Sequence, residues 1–141
     1  MVALPEPLAE IVEEFTKAPK ALRLPLLLDH SKKLVTKDHL SASMAQVHEC
    51  QSPFFVTVQR SAQGLVLEFD VPAEAPTVRG YAHILQQGLR GTSPEQVGEL
   101  PDTFYLDMGL GELITPLRLR GMGAIVREIK RQAASLIGPA S

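Results

Sequence analysis

Apolar residues recur at helical spacing over residues 7 to 18. Leu8, Ile11, Val12 and Phe15 fall on one face, and Glu10, Glu13 and Glu14 on the other. Pro7 suits a first helical turn and Pro19 closes the stretch. A second helical pattern runs from about Lys20 to Lys33. Its expected apolar face is Leu22, Leu26, Leu27 and Leu34, with Leu24 beside them. Pro25 falls near its start or kinks it, and the Lys32-Lys33 pair suits its negative end. Residues 36 to 46 are polar and aperiodic and read as a loop. The period then changes. Phe54 to Val58 is apolar and β-branched, Ser61-Ala62-Gln63-Gly64 is a turn, and Leu65, Leu67, Phe69 and Val71 share one face of an alternating run. That is a hairpin with glycine in its loop. Ala45 to His48 can add a third, short strand.

The helical period returns after Pro72-Ala73-Glu74-Ala75-Pro76. Val78, Tyr81, Ala82, Leu85 and Leu89 form a buried face, ended at Gly88 or Gly91. Ser93-Pro94-Glu95-Gln96 has the makings of a capping box. Pro101-Asp102-Thr103 opens a short helix carrying Phe104 and Met108 and ending near Gly109. Thr115 is a suitable N-cap and Pro116 a suitable first residue for a long last helix. Met122, Ile125, Val126, Ile129, Ala133, Leu136 and Ile137 line that helix, opposite Arg120, Arg127, Lys130 and Arg131, up to Gly138-Pro139. Arg118 stands in the first turn, where a cation opposes the helix dipole. A residue placed against local preference is a pointer to a role elsewhere. The whole pattern predicts an α+β fold, a small antiparallel sheet of about three strands against several helices, in one domain over residues 1–141.

Composition narrows the function classes. Charged residues are 21% and hydrophobic residues 45% of 141, the formal net charge is −2, and the pI is about 6.1. No global field favours nucleic acid or an anionic membrane. The longest apolar run, Leu22 to Leu28, is broken by Arg23 and Pro25 and cannot span a bilayer. Glu6, Glu10, Glu13 and Glu14 stand where a signal peptide would carry cations and an apolar run. The expected location is the cytoplasm, where a thiol stays reduced.

One cysteine excludes a disulfide framework. Cys50 sits in Val47-His48-Glu49-Cys50-Gln51-Ser52-Pro53-Phe54-Phe55, at a junction of loop and strand. Either it is an inert small side chain, or the chain exists to present it. His48 lies two residues away and could share a face with it, while His30, His39 and His83 read as scattered, so no metal site is expected. There is no G-x-S-x-G and no glycine-rich phosphate loop. Close packing is the expected reason for Gly121 and Gly123 within the last helix. Glu49 beside the thiol argues against an acidified cysteine. The thiol would then depend on a partner, which suits a carrier better than an enzyme acting alone.

Val47-x-x-Cys50-Gln51-Ser52-x-Phe54-Phe55 resembles the acceptor loop and following strand of the SufE family. Ala62-Gln63-Gly64, Arg79-Gly80 preceded by Glu74, and Thr115-Pro116-Leu117-Arg118-x-x-Gly121-Met122 are similar to that family's later motifs, in register over roughly residues 5 to 137. The resemblance implies a sulfur acceptor of iron–sulfur cluster assembly. Cys50 would take persulfide sulfur from a SufS-type cysteine desulfurase, stimulate it, and pass the sulfur to a downstream Fe–S scaffold. Pyridoxal phosphate would belong to the desulfurase, with no cofactor on this chain. Arg118, and less directly Glu74 and Arg79, would meet the partner. His48, Glu49, Gln51, Ser52, Phe54 and Phe55 would surround the acceptor, the two phenylalanines as walls of an apolar cavity. The chain departs from the family's usual pattern in having Glu49 for glycine, Phe55 for tryptophan and Leu117 for serine. The alternative is an interaction or regulatory module whose cysteine is inert. A third possibility is a thiol-dependent enzyme or redox sensor that acts alone.

Overall fold

The computed structural model describes residues 4–137, so the expected stop at Gly138-Pro139 lies outside it. The elements run α1 (Glu6–Lys17), α2 (Lys20–Ser31), α3 (His39–Ala42), β1 (Ala45–Gln46), β2 (Phe55–Ser61), β3 (Gly64–Asp70), α4 (Pro76–Gly88), α5 (Pro94–Gly98), a short 3-10 helix at Phe104–Met108, and α6 (Pro116–Ile137). This is the expected α+β arrangement, with the strands in the order β1-β2-β3 and both pairings antiparallel.

The hairpin register runs from Ser61↔Gly64 to Phe55↔Asp70, which leaves Ala62-Gln63 as the turn. Gly64 is needed twice over. Its φ is +104°, and a Cβ there would lie 2.4 Å from the carbonyl carbon of Gly91. Strand alternation puts Val56, Val58, Leu65, Leu67 and Phe69 into the core, with Phe54 edge-on to Phe69. Each such side chain contributes about 1.5–3 kcal/mol on burial.

β1 is only two residues long, opposite Val56 and Phe55. Where it stops, Gln132 of α6 takes over. Its side-chain oxygen accepts from the Val58 N–H at 2.8 Å, and its amide donates to the Val56 carbonyl at 3.1 Å. One side chain thus completes the edge of β2.

α4 packs on both α1 and α2. The α2 contact depends on Gly80, where a Cβ would come within 2.2 Å of the Leu27 carbonyl oxygen. The expected face of α2 is corrected: Leu27 is buried, but Leu22 and Leu24 are exposed at 55% and 36%. Leu34 is buried but lies beyond the helix end. The face that packs on α4 is set by Leu27, His30 and Ser31, one helical turn apart. Pro25 lies inside the helix. The loop expected over 36–46 is also corrected. It contains α3, capped by the Asp38 carboxylate accepting from the Leu40 N–H, and then β1. A single turn is too short to show a period.

Two of the histidines read as scattered in fact meet, while His39 lies apart against Asp70 and Phe55. His30 on α2 and His83 on α4 meet Nδ1 to Nδ1 at 2.9 Å, and His30 Nε2 lies 3.4 Å from Glu14 Oε1. One set of tautomers satisfies both contacts with neutral rings: His83 donates to His30, and His30 donates to Glu14. Burial is the main cause depressing both, taking His83 to about 4. His30 also stacks on Phe15, so this polar pair joins α1, α2 and α4.

Candidate functional site

Cys50 closes a turn in which its N–H donates to the Val47 carbonyl at 3.3 Å, and Val47 N–H donates to the Phe54 carbonyl at 2.8 Å. The strand expected to run on to His48 therefore ends at Gln46, and His48 is exposed in the turn. It shares no extended face with Cys50. The thiol is half-buried and leans on α6, with its S–H directed at the Gly121 carbonyl at 3.9 Å. A Cβ on Gly121 would touch Cys50 Sγ at 3.4 Å and Cys50 Cα at 3.5 Å, so glycine there lets the loop lie flat against the helix.

Beneath the loop is a cavity of about 120 Å³. Its lining comes from three places: Cys50, Gln51 and Ser52 of the loop; Glu74 to Val78 at the start of α4; and Leu117, Arg118 and Gly121 of α6. Thr115 caps α6 by accepting the Arg118 N–H at 3.3 Å, so the first turn of α6 is held at the cavity. Arg118 and Glu74 are exposed at its rim. Burial first, and the Glu49 carboxylate second, push the Cys50 thiol up to about 12.

Five of the residues singled out in the sequence thus lie together: Cys50, Gln51, Ser52, Glu74 and Arg118. Five others lie elsewhere. Glu49 faces a separate groove with Gln46, Ala124, Arg127 and Arg131. His48 lines neither. Phe54 is in the core, and Phe55 is half-buried with its ring stacked on His39 at 3.8 Å. Neither phenylalanine walls the cavity. Arg79 is half-buried and spends its guanidinium on the Val71 carbonyl. Ala75, Pro76 and Thr77 were not singled out as site residues. The signal for them is a helix start at Pro76 preceded by alanine, which cannot cap.

No group of possible metal ligands includes Cys50 or His48 among the described residues. One group of three is found, Asp38, His39 and Asp70. It is held together by His39 Nδ1 against Asp70 Oδ2 at 2.7 Å and by the Asp38 cap.

Residues 9–133 match the model of the SufE family, the Fe-S metabolism associated domain. The chain belongs to the SufE family. It is 45% identical over 133 residues to an uncharacterised SufE-like protein of Mycobacterium tuberculosis, covering 92% of this chain and 93% of that one. A SufE-like protein of Synechocystis is 31% identical over 135 residues, covering 92% and 82%. Among solved structures, the solution structure of a hypothetical protein from Thermus thermophilus superposes with a TM-score of 0.87. It is 40% identical and covers 96% of this chain and 98% of that one. SufE membership supports a role in Fe–S metabolism. No described helix is long and apolar enough to cross a membrane.

Proposed function

We propose that this chain accepts sulfur on Cys50 from a cysteine desulfurase and carries it as a persulfide to an iron–sulfur scaffold. The observation that carries the reading is the position of the only cysteine in a SufE-family chain, on the wall of a cavity large enough for an added sulfur atom. The transfer is a relative of thiol–disulfide exchange. Cys50 Sγ, having lost its proton, attacks the outer sulfur of the desulfurase persulfide. The new Sγ–S bond forms as the old S–S bond breaks, and its electron pair leaves on the desulfurase cysteine. Nothing is oxidised overall. Pyridoxal phosphate stays with the desulfurase. The reaction takes place in the cytoplasm, where the receiving thiol stays reduced.

A thiol pushed up to about 12 is almost entirely protonated at neutral pH. The loop must therefore leave its resting contact with Gly121, or meet a cation or base on the partner, before attack. Arg118 and Glu74, exposed at the rim, are suited to contact that partner. The same protonated thiol favours a second reading, an activator whose cysteine is inert.

The experiment mixes the protein with a SufS-type desulfurase and cysteine, without reductant, and records intact masses. One added sulfur atom on the wild type and none on Cys50→Ser is the expected result. An unmodified wild type beside a turning-over desulfurase would overturn acceptance. Full stimulation of the desulfurase by Cys50→Ser would favour the inert-cysteine activator.

A further inference from the structure

We infer that the cavity beside Cys50 binds a small thiol carrying both an ammonium and a carboxylate group, a thiol amino acid of the cysteine class, and that such a molecule takes the outer sulfur from Cys50 directly. The inference rests on the acceptor reading above and names a small-molecule recipient for the same site. The space is larger than a carried sulfur needs. The cavity measures about 120 Å³, whereas one water takes about 30 Å³ of the liquid. One added sulfur atom fills only a small part of it. The remainder suits a molecule of amino-acid size, well below the roughly 300 Å³ at which pockets for drug-sized ligands begin.

The charges at the rim point to the same class of ligand. Glu74 stands before α4 and Arg118 in the first turn of α6, so they reach the cavity from different elements. Neither the carboxylate nor the guanidinium makes an ion pair or a side-chain hydrogen bond among the described residues; Arg118 bonds only through its backbone N–H, to Thr115. Elsewhere the fold pairs its charges across elements: Lys20 with Glu112, Lys37 with Glu68, and Lys130 with Asp102. Glu74 and Arg118 line one space, carry opposite charges, and are not paired with each other. An amino-acid zwitterion presents the complementary two groups. Its carboxylate suits the planar fork of Arg118, and its ammonium suits Glu74. Glu49, the other carboxylate near the thiol, lines the separate groove instead. Gln51 and Ser52 add an amide and a hydroxyl, and Val78 and Leu117 give apolar wall for a methylene.

The step balances without an added oxidant or reductant. The thiolate of the incoming molecule attacks the outer sulfur of Cys50–S–SH. A new S–S bond forms as the Sγ–S bond breaks, and the electron pair goes to Cys50 Sγ, which takes up a proton. That proton matches the one lost by the incoming thiol. The products are a small persulfide and the Cys50 thiol. Burial and the contact with Gly121 then hold the thiol in its protonated resting form. An uncharged thiol can undergo the same exchange, but it has no hold on either rim charge.

The test loads Cys50 chemically, so it does not depend on the desulfurase. A mixed disulfide between Cys50 and an aromatic thiol is treated with one equivalent of sulfide, which displaces the aromatic thiolate and leaves Cys50–S–SH. L-cysteine, 3-mercaptopropionate, cysteamine and 2-mercaptoethanol are then added in separate reactions. Intact mass follows the loss of one sulfur from the protein, and alkylation traps the small persulfide. For each thiol the wild-type rate is divided by the variant rate, which cancels the thiol's intrinsic reactivity. Arg118→Gln should slow L-cysteine and 3-mercaptopropionate about two- to fivefold and leave cysteamine unchanged. Glu74→Gln should slow L-cysteine and cysteamine by a similar factor and leave 3-mercaptopropionate unchanged. The uncharged 2-mercaptoethanol should respond to neither. Both side chains are exposed, so circular dichroism should show both variants folded. Equal ratios for all four thiols would overturn the site, as would a persulfide that none of them removes. If the charge pattern appears but a desulfurase never loads Cys50, the thiol site stands and the acceptor reading fails. If the desulfurase loads Cys50 and the ratios are equal, the acceptor reading stands and the thiol site fails.

Discussion

The His30–His83 contact and the Cys50 cavity are two titratable places in one small fold, and burial keeps the side chains neutral in both. They differ in what surrounds them. The histidines satisfy each other and Glu14, stack on Phe15, and sit where three helices meet. Cys50 has one long contact to a carbonyl, an empty space beside it, and an uncapped helix start across that space. A polar group with every bond made contributes to the structure itself. One left with bonds unmade is available to a ligand. The comparison separates a structural half of the molecule, α1, α2 and α4 around the histidines, from a chemical half around the loop.

If that division is right, substitutions in the structural half should cost stability and leave sulfur loading intact. The largest effect is expected at Gly80. A Cβ there meets backbone at 2.2 Å, with no flexible side chain to yield. Gly80→Ala should lose about 3 kcal/mol or more, or fail to fold, by denaturant unfolding. Next comes the pH dependence of the histidine pair. Both folded pKa values lie below the unfolded value, so unfolding takes up protons in acid. Stability should be full above about pH 6.5 and fall toward pH 4, by of the order of 1–2 kcal/mol. His83→Leu should flatten that slope; an unchanged slope would place the acid sensitivity elsewhere.

A smaller loss, about 1 kcal/mol or slightly more, is expected of Gln132→Ala, which removes the amide completing the β2 edge. Hydrogen exchange should show it as faster exchange at Val58, with the far end of the hairpin unaffected. The smallest effect tests the chemical half. Glu49→Gln should speed alkylation of Cys50 only a few-fold, because burial and not Glu49 is the larger cause of its high pKa. Stability should be unchanged within about 0.5 kcal/mol. A large acceleration would make Glu49 the principal restraint on the thiol.

Much of the fold could be read from spacing. The hairpin followed from alternation at Leu65, Leu67 and Phe69, and two helix starts followed from Ser93-Pro94-Glu95-Gln96 and Thr115-Pro116. These are local properties, and the observed caps match them. Side-chain partners distant in sequence were not legible. His30 and His83 are 53 residues apart, and no period marks them as a pair. Leu22 and Leu24 read as core because leucine is apolar, but a helix buries only the face its neighbour covers. At the site, the lone cysteine stood out by its count. Thr77 did not, because a threonine early in a helix is ordinary. Only the cavity shows that it shares a wall with Cys50.

The two-residue length of β1 has a consequence for the energetics of the loop that follows. Because Gln132 already satisfies Val56 and Val58, the sheet edge beyond β1 does not need the 47–53 segment to stay closed. The loop is tied back by the Val47–Phe54 and Val47–Cys50 backbone bonds and by the contact with Gly121. Lifting Cys50 away from α6 therefore breaks a few local contacts that water can replace, and leaves the hairpin ladder and the helix core as they were. The thiol can be sheltered at rest and offered on encounter at a cost far below that of unfolding the domain.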